Sequence, residues 1–210
     1  MRREEGNVTV FTAFAAMGLA LALGLAIEFG CVYAVKSAYD NDLNVAREET
    51  LSAGFSMQLK SSPDPGALLA GKVVSSLRRN GYQGSVDFWF YEATPEEIER
   101  ACTQIDDASN VRAMAYHVVL ESAYESVMLP DALLGGVAVS NGITASLAPY
   151  ALHRTYKPEG IAGRLWRFSI PAGAGGASAQ ERPRSEMSPA LEAAVAEALE
   201  KPEEIYRANS

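Results

Sequence analysis

The chain has few of the residues that carry enzymatic or metal chemistry. Its 210 residues include two cysteines, Cys31 and Cys102, and two histidines, His117 and His153. These four residues make no metal-ligand spacing. The sequence also has no Gly-x-Ser-x-Gly elbow, no glycine-rich phosphate loop and no pair of carboxylates in a context that would shift the pKa of one of them. We therefore expect no enzymatic activity, no cofactor and no metal site.

Clustered positive charge is missing as well. The net charge is -8, the isoelectric point is about 4.9, and the densest basic groups are pairs such as Arg78-Arg79. Because a surface that binds phosphates needs clustered Lys and Arg, the composition predicts that the protein binds no nucleic acid. The length leaves room for one membrane segment, one modest globular domain and a tail.

The isolated titratable residues have structural interpretations. We predict that Cys31 and Cys102 are unpaired, half-buried thiols, because a bridge between them would be geometrically demanding. We expect His117 on a core or sheet face and His153 in a solvated loop. Two acidic motifs do not predict calcium sites. Asp106-Asp107 follows a predicted helix and is explained by a solvated turn, whereas Asp40-Asn41-Asp42 lies within a predicted helix and lacks the later ligands of a calcium loop.

A long charge-free run is the strongest positive feature. It extends from Asn7 to Ile27, and at about 1.5 Å per helical residue it matches a hydrocarbon core of about 30 Å. A secretion signal has a shorter apolar stretch followed by a cleavage site, whereas this run continues into Glu28-Phe29-Gly30. The run therefore predicts a transmembrane helix over 7–29, with Glu28 reaching water at the membrane edge.

The helical pattern continues beyond the apolar run. Apolar residues recur at steps of three or four over 30–62, which predicts an amphipathic extension: Val32, Val35, Tyr39, Leu43 and Ala46. No proline occurs between Met1 and Ser62, so we predict one helix from near Val8 to about Lys60.

Small residues and flanking charges add detail to the predicted span. The small residues Gly18, Gly24 and Gly30 allow close packing of neighbouring helices. Arg2 and Arg3 precede the run, which favours an N-terminus on the cytoplasmic side of the cytoplasmic membrane and a main domain on the extracytoplasmic side.

Three motifs along this region resemble one family in their order: Gly6-Asn7-Val8-Thr9-Val10, Glu28-Phe29-Gly30 and Leu51-Ser52-Ala53-Gly54. Residues 1 to about 55 resemble the TadE/TadG-like proteins, the pseudopilin-like bacterial membrane components of tight-adherence (Flp) pilus assembly, a type IV-like system. The resemblance implies a short leader over 1–6, which a prepilin peptidase would cut after Gly6 to leave Asn7 first. It also implies other pseudopilins or pilus-assembly membrane proteins as partners, together with the lipid bilayer. TadE-type members usually carry Glu where this chain has Phe11, whereas TadG-type members lack that Glu more often.

The remaining sequence predicts an α+β domain over 63–170, in which the long helix packs with a small, mainly antiparallel sheet. A pilin-like arrangement fits this pattern. Predicted elements are a helix over 67–79, a strand over 85–93 and a helix capped by Thr94, then a long strand from 111, a hairpin turned at Ser140-Asn141-Gly142, and a last strand over 163–170. For the segment from 111 a helix is the alternative, because it contains Ala, Met and Glu. In the aromatic strand, Phe88 and Phe90 alternate with Trp89 and Tyr91. One pair belongs to the core; we expect the other pair to be buried as well, and the alternative is that it forms a surface for a partner.

Two segments complete the chain. Residues 171–189 predict a flexible linker, and 190–210 predict a helix with an apolar stripe of Leu191, Val195 and Leu199. That helix either docks on a partner or on its own domain, or stays a mobile solvated helix.

These patterns lead to two functional hypotheses. The first is a single-pass, non-enzymatic pseudopilin-like component of tight-adherence pilus assembly or a related secretion machine. The second is a membrane-anchored extracytoplasmic sensor or ligand-binding module unrelated to pili, for which a concave pocket would be the distinguishing feature.

Overall fold

The computed structural model describes residues 2–102, 111–128, 137–148, 161–174 and 177–208. The chain divides into two compact units, one of residues 1–38 with 122–139 and one of 39–121 with 140–210. His153 and Asp106-Asp107 lie outside the described residues. The described elements are α1 (Arg2–Leu51), α2 (Ala53–Ser61), α3 (Pro65–Arg79), β1 (Ser85–Glu92), α4 (Pro95–Ala101), β2 (Met114–Tyr124), β3 (Val137–Leu147), β4 (Leu165–Ile170), β5 (Ser178–Arg182), a short 3₁₀ helix (Arg184–Glu186) and α5 (Pro189–Ala208).

The long N-terminal helix is confirmed, but it breaks earlier than predicted. Ser52 adopts an extended conformation with φ -62° and ψ 143°. Its hydroxyl donates to the Glu49 carbonyl at 2.8 Å, and its own carbonyl accepts from Phe55 N–H, which starts α2. Serine side chains compete with helical hydrogen bonds in this way, and Gly54 lowers the helix propensity of the same stretch. The prediction of one unbroken helix to about Lys60 was therefore wrong.

Within the described residues, five antiparallel strands form one sheet in the order β3-β2-β1-β4-β5, so the protein has the predicted α+β fold. β1 lies at the centre and pairs with both β2 and β4. Its aromatic and β-branched composition suits a strand with packed neighbours on each side.

Helices cover both faces of this sheet. On one face Phe88 and Phe90 belong to a core that also contains Leu43 of α1 and side chains of α2 and α3. On the other face Tyr91 is buried and Trp89 packs partly against a second core, to which α5 contributes Leu191. Burial of both faces of the aromatic strand is thus confirmed, and α5 docks on its own domain.

The start of α4 confirms the helix that the sequence predicts after the cap residue Thr94. The Thr94 hydroxyl accepts from Glu97 N–H, the Glu97 carboxylate accepts from Thr94 N–H, and Pro95 occupies the first helical turn. This capping box satisfies backbone donors that a helix N-terminus leaves unpaired. The helix ends at Ala101, and Cys102 follows it as a free thiol that is buried rather than half-buried as predicted. Cys31 is a free thiol of intermediate exposure, as predicted.

Two predictions about turns and linkers were wrong. Asn141 and Gly142 lie inside β3, which continues through them without a hairpin. A Cβ at Gly142 would lie 2.9 Å from the Val118 carbonyl oxygen and 3.3 Å from His117 Cε1, so the glycine allows close approach of β2 rather than a turn. Residues 171–189 are not simply a linker, because they contain β5 and the 3₁₀ helix.

Candidate functional site

The N-terminal part of α1 exposes a continuous apolar surface. Phe11 is 76% exposed and Phe29 70%, and the large hydrophobic side chains between them include Phe14, Leu19 and Leu23. Within the described residues, α1 alone is long and apolar enough to cross a membrane. An exposed apolar surface of this length on one helix is typical of a membrane span. Its length and composition make it the candidate membrane anchor.

Of the three glycines predicted to support packing, two leave open surface. A Cβ at Gly18 or Gly30 would meet nothing within 4 Å. Gly24 is buried. Gly6 and Asn7 have helical backbone near the start of α1, and their side chains lie outside the described part. The smooth surface at Gly18 and Gly30 is therefore available to another helix.

Glu28, at the end of the charge-free run, has a different environment from the one predicted. Its side chain is buried, with the residue 3% exposed. Oε2 accepts from the Tyr124 hydroxyl at 2.6 Å, and Oε1 accepts from the Ser126 hydroxyl at 2.7 Å and from Met128 N–H. The expectation that Glu28 reaches water is wrong, because the segment after β2 supplies the donors that water would have supplied.

Residues near the end of β2 and the start of β3 also cover the last turn of the charge-free run. Gly24, one turn before Glu28, is buried. Val137, the first residue of β3, lines a small cavity of about 70 Å³ together with Leu25, Phe29 and Val32. The end of β2 and the start of β3 therefore lie beside the last apolar turns of α1, within the unit formed by residues 1–38 and 122–139.

The C-terminal part of α1 is a core element of the other unit. Leu43 and Ala46 are each 1% exposed, as the amphipathic pattern predicts. The Thr50 hydroxyl shares a buried 2.7 Å hydrogen bond with the Tyr116 hydroxyl of β2. Burial raises the pKa of Tyr116 to about 12, so this phenol stays protonated at physiological pH.

Ion pairs surround this packed part of α1. Glu49 accepts from Lys72 at 2.9 Å and from Arg79, both on α3. The hydrogen bond from Lys72 lowers the pKa of the Glu49 carboxyl. Asp40 accepts a hydrogen bond from the Asn141 amide of β3. The polar side of the amphipathic segment is thus tied to two different elements of the domain.

A buried arginine joins the end of α2 to the sheet. Arg112 Nε and Nη2 donate to the two carboxylate oxygens of Glu92 at 2.7 and 2.9 Å. Its Nη1 also donates to the carbonyls of Leu59, Lys60 and Ser62 at 2.9, 3.2 and 2.9 Å. A helix C-terminus leaves carbonyl groups unpaired and carries partial negative charge, so a buried guanidinium suits it. Arg112 is therefore a clamp between the C-terminus of α2 and the C-terminal end of β1.

A second polar group lies on the opposite face of the sheet. The Tyr91 hydroxyl donates to Glu97 at 2.9 Å, and Arg184 forms a 2.7 Å ion pair with the same carboxylate. Burial raises the pKa of Tyr91 to about 12. For Glu97, burial acts to raise the pKa, but hydrogen bonds from Thr94, Arg184 and Tyr91 outweigh it and the pKa is lowered. The carboxylate is thus held in its charged form.

The domain also has an open groove of about 490 Å³ between α3 and the strands β4 and β5. Its floor is apolar, and two charged residues border it, Asp64 and Arg78. Asp64 accepts from Ala67 N–H as the cap of α3, and Arg78 donates to the carbonyls of Tyr82, Gly84 and Pro171. A ligand site usually presents a few convergent polar groups, whereas both charged groups here are engaged within the domain.

No family model, curated protein or solved structure matches the chain. Its function is therefore argued from its own residues and geometry.

Three important residues of these contacts were missed or misread from the sequence. Arg112 and Glu92 appear there as ordinary strand-end charges, and their only signal is that each lies at the end of an apolar segment. Glu28 stood out as an acid at the end of a span, but its partners are about a hundred residues away in sequence. Side-chain pairing over such separations depends on the sheet register and on how the helices pack against the sheet, which local patterns do not specify.

Proposed function

We propose that the protein is a single-pass pseudopilin-like component of tight-adherence pilus assembly or a related secretion machine, acting by packing rather than by catalysis. In this proposal the N-terminus lies on the cytoplasmic side of the cytoplasmic membrane and the α+β domain lies on the extracytoplasmic side. The partners are other pseudopilins or pilus-assembly membrane proteins, and a prepilin peptidase that cuts after Gly6. The membrane anchor is the part of the proposal with structural support.

One observation carries the proposal. The helix α1 is continuous from Arg2 to Leu51; its first part exposes apolar side chains, and its last turns bury Leu43 and Ala46 in the domain core. A helix that is at once an apolar span and a core element lets forces or contacts in the membrane act on the domain. This is the arrangement expected of a pilin-like subunit, and the motif order at 1–55 supports the same choice.

The mechanism would be packing between apolar helices. Lipid offers little hydrophobic driving force for association, so helices in membranes pack through small residues that permit close approach. Gly18 is such a residue, with open space where a Cβ would lie.

The first experiment tests assembly in cells that carry the native pilus machinery. We expect the protein in the sheared filament fraction, or cross-linked to the membrane platform. The variant Gly18→Ile should lower cross-linking several-fold, because the added side chain blocks close approach while meeting nothing within its own chain. Leu19→Ile is the matched control and should cross-link as the wild type does. Loss of the protein without any effect on piliation or secretion would contradict the proposal.

The second experiment is the intact mass of the protein purified from its native membrane. A chain beginning at Asn7 would support processing by a prepilin peptidase. A chain beginning beyond Ile27 would identify a secreted protein and overturn the membrane anchor.

The groove beside α3 favours a second candidate function, a membrane-anchored ligand-binding module. Its volume of about 490 Å³ is within the range of small-molecule sites. Thermal shift screening of the purified protein against small apolar ligands tests it. The variant Ala67→Trp, at an exposed position on the groove lining, should abolish any shift if the groove binds the ligand.

A further inference from the structure

The segment that follows β2 presents apolar side chains where a water-facing loop would present polar ones. Val127 is 70% exposed and Met128 56%. In the same segment the polar groups of Tyr124 and Ser126 point to the buried Glu28 carboxylate. The two hydroxyl groups are used internally, whereas Val127 and Met128 are left outside, and the one charged side chain of the segment, Glu125, is exposed as well. Two adjacent large apolar side chains left outside are unusual for a solvated turn.

The hydrogen bonds to Glu28 fix the level of this segment along α1. Met128 N–H donates to Glu28, which is the first charged residue after the run from Asn7 to Ile27. Val137 lies beside Leu25 and Phe29, so the covering reaches about one helical turn inside the charge-free run. If that run fills the hydrocarbon layer, Val127 and Met128 stand at the boundary between hydrocarbon and headgroups.

The surroundings at this level suit a membrane interface. Phe29 and Tyr33 are exposed on α1 itself, and aromatic side chains are enriched at the boundary between hydrocarbon and water. A carboxylate near hydrocarbon is costly unless hydrogen bonds replace its water. Glu28 receives donors from Tyr124, Ser126 and the Met128 backbone, so it can lie there without a water shell.

We propose that residues 124–128 form a second membrane contact, in which Val127 and Met128 insert into the interfacial layer of the bilayer around α1 and Glu28 holds them at that depth. The proposal rests on the membrane span of the proposed function. It deepens that function, because two contacts with the membrane restrict the tilt and rotation of the anchor more than one helix does.

The test measures depth in lipid vesicles with the full chain. In a background with Cys31→Ser and Cys102→Ala, single cysteines are introduced and labelled with an environment-sensitive fluorophore, and quenching by nitroxide lipids is recorded. The test positions are Val127→Cys and Met128→Cys; the latter keeps its hydrogen bond to Glu28, since the donor is the backbone N–H. Leu19→Cys reports the span itself. Ser37→Cys is the matched aqueous control, exposed on the same helix about 14 Å beyond Glu28.

We expect quenching at 127 and 128 by shallow nitroxides to exceed that at 37 by at least about twofold, with deep quenching at 19. Quenching at 19 together with values at 127 and 128 equal to those at 37 would overturn the second contact and leave the membrane span intact. Absence of quenching at 19 would overturn the span and the contact together.

The role of Glu28 is tested in the same system. Glu28→Ala removes the acceptor of three hydrogen bonds, so quenching at 128 should fall to the level at 37 while quenching at 19 stays unchanged. Glu48→Ala, at an exposed acid of the same helix, should leave quenching at 128 as in the parent. Unchanged quenching at 128 in Glu28→Ala would contradict the holding role of Glu28.

Discussion

Arg112 is the largest side chain that the described part of the chain buries fully. Its charge is matched by Glu92 and by three carbonyl oxygens near the end of α2. A buried ion pair adds little stability compared with a well-packed apolar pair, but removal of one partner leaves an unmatched buried charge. The stability of the domain therefore depends on neither residue being present without the other.

We predict that Arg112→Met lowers the free energy of unfolding by about 3–5 kcal/mol, because Glu92 is left buried without its partner. Urea denaturation of the full chain in detergent micelles measures this change. The double variant Arg112→Met, Glu92→Leu should regain part of the loss, since no buried charge remains.

The matched control is the exposed pair of Arg164 and Glu181, which are each about half exposed and 2.9 Å apart. Arg164→Ala should cost less than about 1 kcal/mol, as exposed ion pairs do. An Arg112→Met variant no less stable than Arg164→Ala would contradict the clamp.

Glu97 predicts a pH dependence of stability. Its folded-state pKa lies below the ordinary value of 4.5, so the stabilisation is present above that value and is lost as the pH falls through the lower folded pKa. We expect the free energy of unfolding to fall on acidification below about pH 4.5, and to fall less steeply in Glu97→Gln. Denaturation curves across pH 3–6 measure both slopes, with Glu99→Gln, exposed on the same helix, as the control.

At the scale of single elements, β3 shows why a glycine signal was misread. Asn-Gly predicts a hairpin turn because it accepts positive φ, yet Gly142 serves to let β2 approach. Gly142→Ala should destabilise the protein by about 1–3 kcal/mol, since the new Cβ would press on the Val118 carbonyl. In α3, Gly71 has open space around its Cβ position, and Gly71→Ala should be neutral or stabilising by up to about 1 kcal/mol. Equal effects of the two substitutions, measured by thermal unfolding, would contradict this interpretation.

The C-terminal helix α5 predicts a pattern of hydrogen exchange. Leu191 is fully buried and Glu192 is exposed, so we expect slow amide exchange over residues 189–200 in the wild type. Leu191→Ala should cost about 2–5 kcal/mol and speed exchange in this segment, whereas Glu192→Ala should not. Exchange mass spectrometry measures both, and fast exchange in the wild type would contradict docking.

Local sequence patterns predict some of the helices and strands but not others. The cap at Thr94, the apolar stripe at Leu43 and the aromatic alternation of β1 each placed an element correctly, because caps and periodicity act within a few residues. The break at Ser52 and the strand β5 were missed, since weak local signals decide the first and pairing with β4 decides the second. The partners of Glu28 and Arg112 were beyond prediction for a similar reason, because the packing of α1 and α2 against the sheet brings them together.

At the scale of the whole molecule, α1 combines two roles that the sequence already separates by composition. The charge-free run carries the apolar surface, and the amphipathic continuation contributes Leu43 and Ala46 to the core. The length of the run predicted a span from the dimensions of a bilayer alone.

Membrane extraction tests the central claim most directly. Membranes from cells that express the full chain are washed with alkaline carbonate, and intact cells stripped of any outer layer are treated with protease. We predict that the protein stays in the washed membranes, that its domain is cut from the outer side, and that a Leu19→Arg, Leu23→Arg variant is released by the wash. Release of the wild-type protein by carbonate, or protection of the domain from external protease, would contradict a single-pass anchor that carries an extracytoplasmic domain.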